Sequence, residues 1–253
     1  MRRRSTVSLS VAIGLTLLTA CTPAAAPDEP SAQPVTAAES ELLAAARFRN
    51  FDAGTRSVSF AIDDDGAALQ LTGWFDYATH TGYGALTADG TPNTLVLWNA
   101  TTVAAHDAVS TDASAPAPLP VPDAAPLGSS WRSVALSGAH SRLHAMLQVI
   151  ASLGSDRPDN PLLLRQGGAL ALGDETIDGT AVEVFAGPLS DSPLPAGQSV
   201  DPDASTTRFW LDGDGVMRRA AVRLGGSGSW QDIDFGEGGG VDLGDPLAAG
   251  ASG

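Results

Sequence analysis

Ser57-Val58-Ser59-Phe60-Ala61-Ile62, followed by Asp63-Asp64-Asp65-Gly66, decides the fold class. Small polar and apolar residues alternate with a period of two, as in a strand with one buried face. The acidic run and its glycine then break the pattern as a turn does. Ala68 to Tyr77 resumes the alternation, so the two segments read as a β-hairpin. Thr81 to Thr87 and Thr94 to Asn99 continue it, with Asp89-Gly90 marking another turn, and Thr101 to His106 adds a short strand. Strands at roughly ten-residue spacing with no helix between them predict an antiparallel meander rather than alternating βαβ units.

Working toward the C-terminus, SAPAPLPVPDAAPLGSS lies within residues 108–130, where proline density forbids regular pairing, and reads as an exposed excursion. Trp131 to Leu136 returns to strand character. Ser141 to Leu153 then carries Leu143, Met146, Leu147, Ile150 and Leu153 on a 3.6-residue period, one apolar stripe of a helix. Gly154 is placed to cap that helix, and Pro158 and Pro161 prevent its continuation. After a short helix at Pro161 to Gln166, strand signals resume at Ala169 to Leu172 and Thr180 to Ala186. A second Pro/Asp/Ser-rich interruption covers 188–205. Thr207 to Leu211 and Val216 to Leu224 flank Asp212-Gly213-Asp214-Gly215, a hairpin signal, and Ser229 to Phe235 is the last strand. The expected fold is mainly β (α+β): an antiparallel sheet that receives the apolar stripe of the 141–153 helix on its concave face.

Toward the N-terminus, AAESELLAAARF over 37–48 is rich in helix formers, with Leu42, Leu43 and Ala46 clustered on one face. Ahead of it, Thr22 to Pro34 is Ala, Pro, Ser and acidic residues with nothing to bury, the composition of a tether. The chain opens with Arg2 to Arg4 and an apolar run from Val7 to Leu18, the charged and hydrophobic regions of a secretory signal. The run falls short of the ~20 residues a membrane span needs. Leu18-Thr19-Ala20-Cys21 matches a lipobox, in which the only cysteine of the chain receives diacylglycerol and becomes the mature N-terminus. Two or three acyl chains hold such a protein stably on a membrane. The expected organisation is a signal peptide over 1–20, lipidated Cys21 and a tether over 21–36, one domain over 37–235, and a glycine-rich disordered tail over 236–253. The expected location is the extracytoplasmic face of a cell membrane.

The signal carries 3 of the 14 basic residues and none of the 29 acidic ones, so the mature charge is 11 minus 29, or -18. That excludes nucleic acid as a partner, and it sets the folded part off anionic lipid headgroups rather than against them. All 14 basic residues are arginine.

The residues offer little chemistry. There is no GxSxG, no nucleotide-binding glycine loop and no thiol left for nucleophilic work once Cys21 is acylated. His140 and His144 stand at i, i+4, but no glutamate follows the first and Arg142 lies between them, which opposes a metal. Asp212 to Gly215 resembles the start of a calcium loop, yet Val216 and Arg223 occupy ligand positions, and Asp63 to Asp65 is a hairpin tip. No catalytic residue, cofactor or metal is expected. What remains is apolar: the aromatic residues of the strands and the helix stripe form either a closed core or the walls of a cavity able to hold an acyl chain. Leu143, Met146, Leu147, Ile150, Trp74 and Trp98 are the candidate lining residues.

ARFRNFDAGTRSVSF, LTGWFDYATHTGYGAL, SDRPDNPLLLRQ, DGTAVEVFAGP and RFWLDGDGVMRR, in this order behind a lipobox, resemble an actinobacterial group of LolA-like lipoproteins. The resemblance spans roughly Ala45 to Phe235, and its most distinctive block is Asp156-Arg157-Pro158-Asp159-Asn160-Pro161. It implies a curved, unclosed barrel of antiparallel strands wrapped over a helical plug, and a role in carrying a lipid or a lipoprotein. The block itself has the residues to end one helix and cap the next, with Arg157 free to pair with a carboxylate or, like Arg165, to meet a ligand headgroup. The expected function is binding of a hydrophobic ligand by a monomeric, membrane-anchored lipoprotein. The alternative is a non-enzymatic envelope sensor or accessory subunit that contacts a membrane protein.

Overall fold

A computed structural model describes residues 32–88, 94–107, 116–123, 127–139, 141–195, 200–226 and 228–247. Cys21, the signal segment and His140 lie outside these residues. The decisive hairpin is present: β2 (Thr55–Asp64) pairs with β3 (Ala67–Asp76), Asp64 opposite Ala67. Asp65 and Gly66 both have positive φ, 53° and 86°, as a two-residue hairpin turn matched to strand twist requires. The three aspartates divide the work of the tip. Asp63 accepts from the Gly66 amide at 3.1 Å, while Asp64 accepts from the amides of Arg142 and Leu143 at 2.8 and 3.4 Å.

Those two amides begin α2 (Arg142–Ser152), whose N-cap Ser141 accepts from the His144 amide. The helix ahead of β2, α1 (Ala37–Asp52), starts with a capping box: Thr36 accepts from the Glu39 amide and Glu39 from the Thr36 amide. α3 (Pro161–Gln166) takes Asn160 as N-cap and Pro161 at its first position.

The remaining strands are β1 (Gln33–Pro34), β4 (Thr81–Ala88), β5 (Thr94–Trp98), β6 (Thr102–His106), β7 (Arg132–Ala135), β8 (Leu170–Ile177), β9 (Thr180–Ala186), β10 (Thr207–Asp212), β11 (Met217–Val222) and β12 (Gln231–Glu237). All twelve form one antiparallel sheet in the order β1-β8-β9-β10-β11-β12-β2-β3-β4-β5-β6-β7, open between β1 and β7. A single core cluster draws Phe185, Leu211, Met217, Ile233, Phe60, Leu71, Val96 and Val103 from strands spread between β9 and β6. Nine neighbouring strands at ~4.8 Å spacing would span roughly 40 Å if flat, whereas a helix is only ~10 Å across. Sharing one core therefore requires the sheet to curl around the helices. The fold is the expected unclosed antiparallel sheet with helices against its inner face.

The β2 alternation sends Val58, Phe60 and Ile62 inward. On α2, Met146, Leu147 and Ile150 are 0% exposed in the same cluster. Opposite-facing residues build two further clusters on the outer face, one around Tyr83, Leu95, Leu97 and Trp131, the other around Val182, Val184 and Trp210.

Three sequence expectations are corrected. The folded part begins before 37 and ends after 235. Gln33 and Pro34 pair with β8, Val35 is buried, β12 runs to Glu237, and Leu243 is buried against the outer cluster with Val241 and Leu247. Isolated apolar residues have no period, so only their packing partners reveal them. Within the first proline-rich segment, the described residues 116–123 are a cover rather than an exposed excursion: Ala117 and Val121 are buried, and the carbonyls of Pro118 and Pro122 accept from Tyr83 Oη and Trp131 Nε1, both at 2.9 Å. Proline-rich chain leaves its carbonyls unpaired by any ladder, which suits that use. Gly154 directly follows the C-cap Leu153, but its φ is not positive, so it does not close α2 as a left-handed cap. A Cβ at 154 would stand 2.3 Å from the Tyr77 ring, so glycine is there for close approach.

Candidate ligand cleft

α1 and α3 meet the inner face of β10 and β11 incompletely. Between them lies a cleft of about 300 Å3 with Leu43 and Ala46 of α1, Leu163 and Leu164 of α3, and Phe209 and Met217 of the sheet as its apolar walls. Its polar lining includes Arg47, Asp159, Asn160, Ser190 and Thr207. The volume sits at the lower end of the ~300–1,000 Å3 typical of small-molecule sites. Such a space can take one alkyl chain, with hydrogen-bonding groups for a polar head. Leu162 and Leu163 of α3 are 54% and 43% exposed, so the cleft has an apolar edge open to its surroundings.

The segment after α2 positions this wall. The amides of Ser155 and Asp159 donate to the carbonyls of Arg47 and Ala44, lacing the DRPDNP block along α1. Arg47 returns two bonds, Nε to the Ser152 carbonyl at 3.0 Å and Nη1 to Asp159 Oδ1 at 3.1 Å. Asp159 therefore pairs with Arg47, and no ion pair of Arg157 occurs among the described residues. Pro188 and Ser190, from the second proline-rich interruption, narrow the opposite side of the cleft.

Below the cleft lies a buried arginine that the sequence did not advertise. Arg56 is 3% exposed and donates to Asn50 Oδ1 (2.9 Å), the Met217 carbonyl (3.0 Å) and the Gly236 carbonyl (2.8 Å). Asn50 Nδ2 donates in turn to the Leu153 carbonyl at 2.9 Å. The network ties α1, the end of α2, β11 and β12 together. Burial pulls the guanidinium below its ordinary pKa, and every acceptor it uses is uncharged.

Of the six residues expected to line a cavity, Met146, Leu147, Ile150 and Trp98 are buried in the inner core, with Leu143 partly buried against it. Trp74 is on the other side of the sheet, half-buried against the outer cluster, because its neighbour Phe75 takes the inward position. None of the six borders the cleft described above. Its lining was partly visible in sequence as the Leu42, Leu43, Ala46 face of α1 and the Leu162-Leu163-Leu164 run, too apolar for a six-residue helix to bury.

The other candidates have structural partners. Asp212 accepts from the amides of Asp214 and Val216 and pairs with Arg218 at 2.7 Å. His144 Nδ1 accepts from the Ser137 amide at 3.3 Å. Among the described residues no group of three or more His, Cys, Asp or Glu side chains is arranged to hold a metal, and no helix is long and apolar enough to cross a membrane.

No protein-family model matches the chain, and no curated protein does. Among solved structures it is similar to the Mycobacterium tuberculosis lipoprotein LppX, at 14% identity over 78% of this chain and 94% of that one, with a TM-score of 0.39. A DUF1329 family protein from Desulfovibrio piger matches at 14% identity over 83% and 95%, TM-score 0.27. A proposed outer membrane lipoprotein-sorting protein domain from Vibrio parahaemolyticus matches at 11% identity over 84% and 98%, TM-score 0.26.

Proposed function

We propose that this protein is a non-enzymatic carrier of a hydrophobic, single-chain ligand, held on the extracytoplasmic face of a membrane by acylated Cys21. The supporting observation is the apolar cleft between α1, α3 and the inner face of the sheet, open beside two exposed leucines. Binding follows from burial of the ligand's apolar surface at ~25 cal/mol per Å2, and the polar groups at Arg47, Asp159 and Asn160 orient its head. The acidic charge of the mature chain keeps the domain off the bilayer while the tether keeps it near.

The test is mass spectrometry of solvent extracts from the Cys21→Ser protein, purified beside an unrelated acidic control. One lipid class enriched to near one equivalent supports the carrier reading and identifies the cargo. A clean extract from folded protein overturns it. A second reading, a subunit that contacts a membrane protein, draws on β7: among the described residues this edge strand pairs only with β6, all four of its residues are exposed, and Val134 is 58% exposed. Such an edge can add a strand from a partner. Stoichiometric co-purification of one protein with no extractable lipid would favour it.

A further inference from the structure

Three leucines in succession, Leu162-Leu163-Leu164, turn through about 200° of a helix, so α3 cannot lay all of them on one side. Leu164 packs against the inner core, and Leu163 borders the cleft. Leu162 does neither and is 54% exposed. Of the four large apolar side chains exposed among the described residues, two are therefore neighbours on this one short helix.

The charge around them is opposite in sign to that of the chain. Arg157 and Arg165 are exposed and form no ion pair among the described residues, while Asp159, the only carboxylate within 157–166, is paired with Arg47. With Arg47 and Asp156 counted as well, this corner has three cations against two anions, in a chain of net charge -15. It is also held in place. Asn160 caps α3, Pro161 fixes its first turn, and the amides of Ser155 and Asp159 bind the segment to the carbonyls of α1. Presenting these side chains to a partner then costs little ordering entropy.

The same corner is where the chain departs toward Cys21. Just beyond Gly167, the C-cap of α3, the Ala169 carbonyl accepts from the Val35 amide at 3.3 Å, and Pro34 and Gln33 pair with Leu170 and Ala171. From Cys21 to Gln33 is 33 minus 21, or 12 residues, a reach of at most about 40 Å when fully extended. A membrane anchor at Cys21 thus draws α3 toward the bilayer.

We propose that α3 is a membrane-contact tip: Leu162 and Leu163 enter the interfacial zone of an anionic bilayer, and Arg157 and Arg165 meet its headgroup phosphates. Apolar side chains at the acyl boundary with cations at the phosphates is the arrangement that holds a helix in an interface. The same headgroups repel the acidic body of the domain, so the two effects together orient it with α3 down and the rest held off. Two leucines and two arginines form a weak contact by themselves. The anchor makes that contact intramolecular and so raises its effective concentration. This inference goes beyond the carrier reading and holds whether or not the cleft is loaded.

The test couples protein beginning at Cys21, through its one thiol, to a maleimide lipid in vesicles and follows hydrogen exchange of residues 157–167 by mass spectrometry. Vesicles of equal parts phosphatidylglycerol and phosphatidylcholine should slow exchange there severalfold relative to the same protein free in solution, and pure phosphatidylcholine should slow it less. Arg157→Gln should cut the protection about fivefold, the worth of one basic residue at an anionic surface. Leu162→Ser should abolish it at an unchanged thermal midpoint, and should leave solvent-extracted lipid unchanged because Leu162 does not line the cleft. Exchange over 157–167 as fast on anionic vesicles as in solution, or protection undiminished in Leu162→Ser, overturns the proposal and leaves the carrier reading standing.

Discussion

Asn50 Oδ1 accepts a hydrogen bond from Arg56 Nη1 at 2.9 Å, and neither side chain reaches solvent appreciably. This contact joins the last turn of α1 to the first residues of β2, and through the other arms of Arg56 to β11 and β12. Asn50→Leu removes an uncharged acceptor from a buried cation and a donor from the Leu153 carbonyl. A loss of about 2–3 kcal/mol is expected, at the charged end of the range for hydrogen bonds. Urea unfolding with an unchanged slope and a lower midpoint would confirm it. A change within about 0.5 kcal/mol would show that the network contributes little.

Leu163 stands at the edge of the cleft with much of its side chain in the open. Leu163→Arg should therefore leave stability within about 0.5 kcal/mol of the parent, as for most surface changes. If the cleft holds an acyl chain, the same variant should recover at most a tenth as much lipid per mole of protein. Equal lipid recovery would remove this cleft as the binding site.

Gly154 separates two explanations of one glycine. At a left-handed helix cap, asparagine would be tolerated and alanine would be moderately costly. Where the ring of Tyr77 occupies the space of a Cβ, both should destabilise, by about 1–3 kcal/mol as overpacking does. Thermal melts of Gly154→Ala and Gly154→Asn should fall together, and a near-normal Gly154→Asn protein would restore the capping explanation.

The chain has two tyrosines, Tyr77 and Tyr83, and burial raises the pKa of both. In the unfolded chain each ionises near ~10. Above that pH the unfolded state has lost protons that the native state keeps, so native stability must fall as pH rises. The expected slope is about 1.4 kcal/mol per pH unit for each tyrosine, beginning at the unfolded value. Absorbance at 295 nm should show tyrosinate only as the protein unfolds. Tyrosinate appearing in protein with native circular dichroism would contradict the burial of these rings.

Much of this architecture could be read along the chain. Period-two alternation in Ser57 to Ile62 and in Thr207 to Leu211, with turn residues between, located strands because side chains on a strand must alternate between faces. The 3.6-residue stripe from Leu143 to Leu153 located α2 for the corresponding reason. These are properties of neighbouring residues, and the hairpin pairs β2 with β3 and β10 with β11 follow from the turns that join them. Alternation alone does not say which face is inner when both carry large apolar groups. Trp74 and Trp98 looked equivalent in sequence, yet one is half-buried on the outer face and the other is in the core.

The pairings without a turn were decided only by the tertiary structure. β12 lies beside β2 although about 170 residues separate Ile233 from Phe60, and Gln33 finds its partner at Ala171. The cleft arises in the same way, from α1, α3 and β10 converging across the chain. The physical reason is that hydrophobic burial has no direction. Its periodicity assigns each residue to an element and a face, while the choice of neighbour depends on how all the faces close together around one core. Composition and local pattern determined the acidic net charge, the strands and the helix stripe. Only the closed fold determined that Gln33 and Pro34 join the sheet, what covers the outer face, and which apolar surface was left open at the cleft.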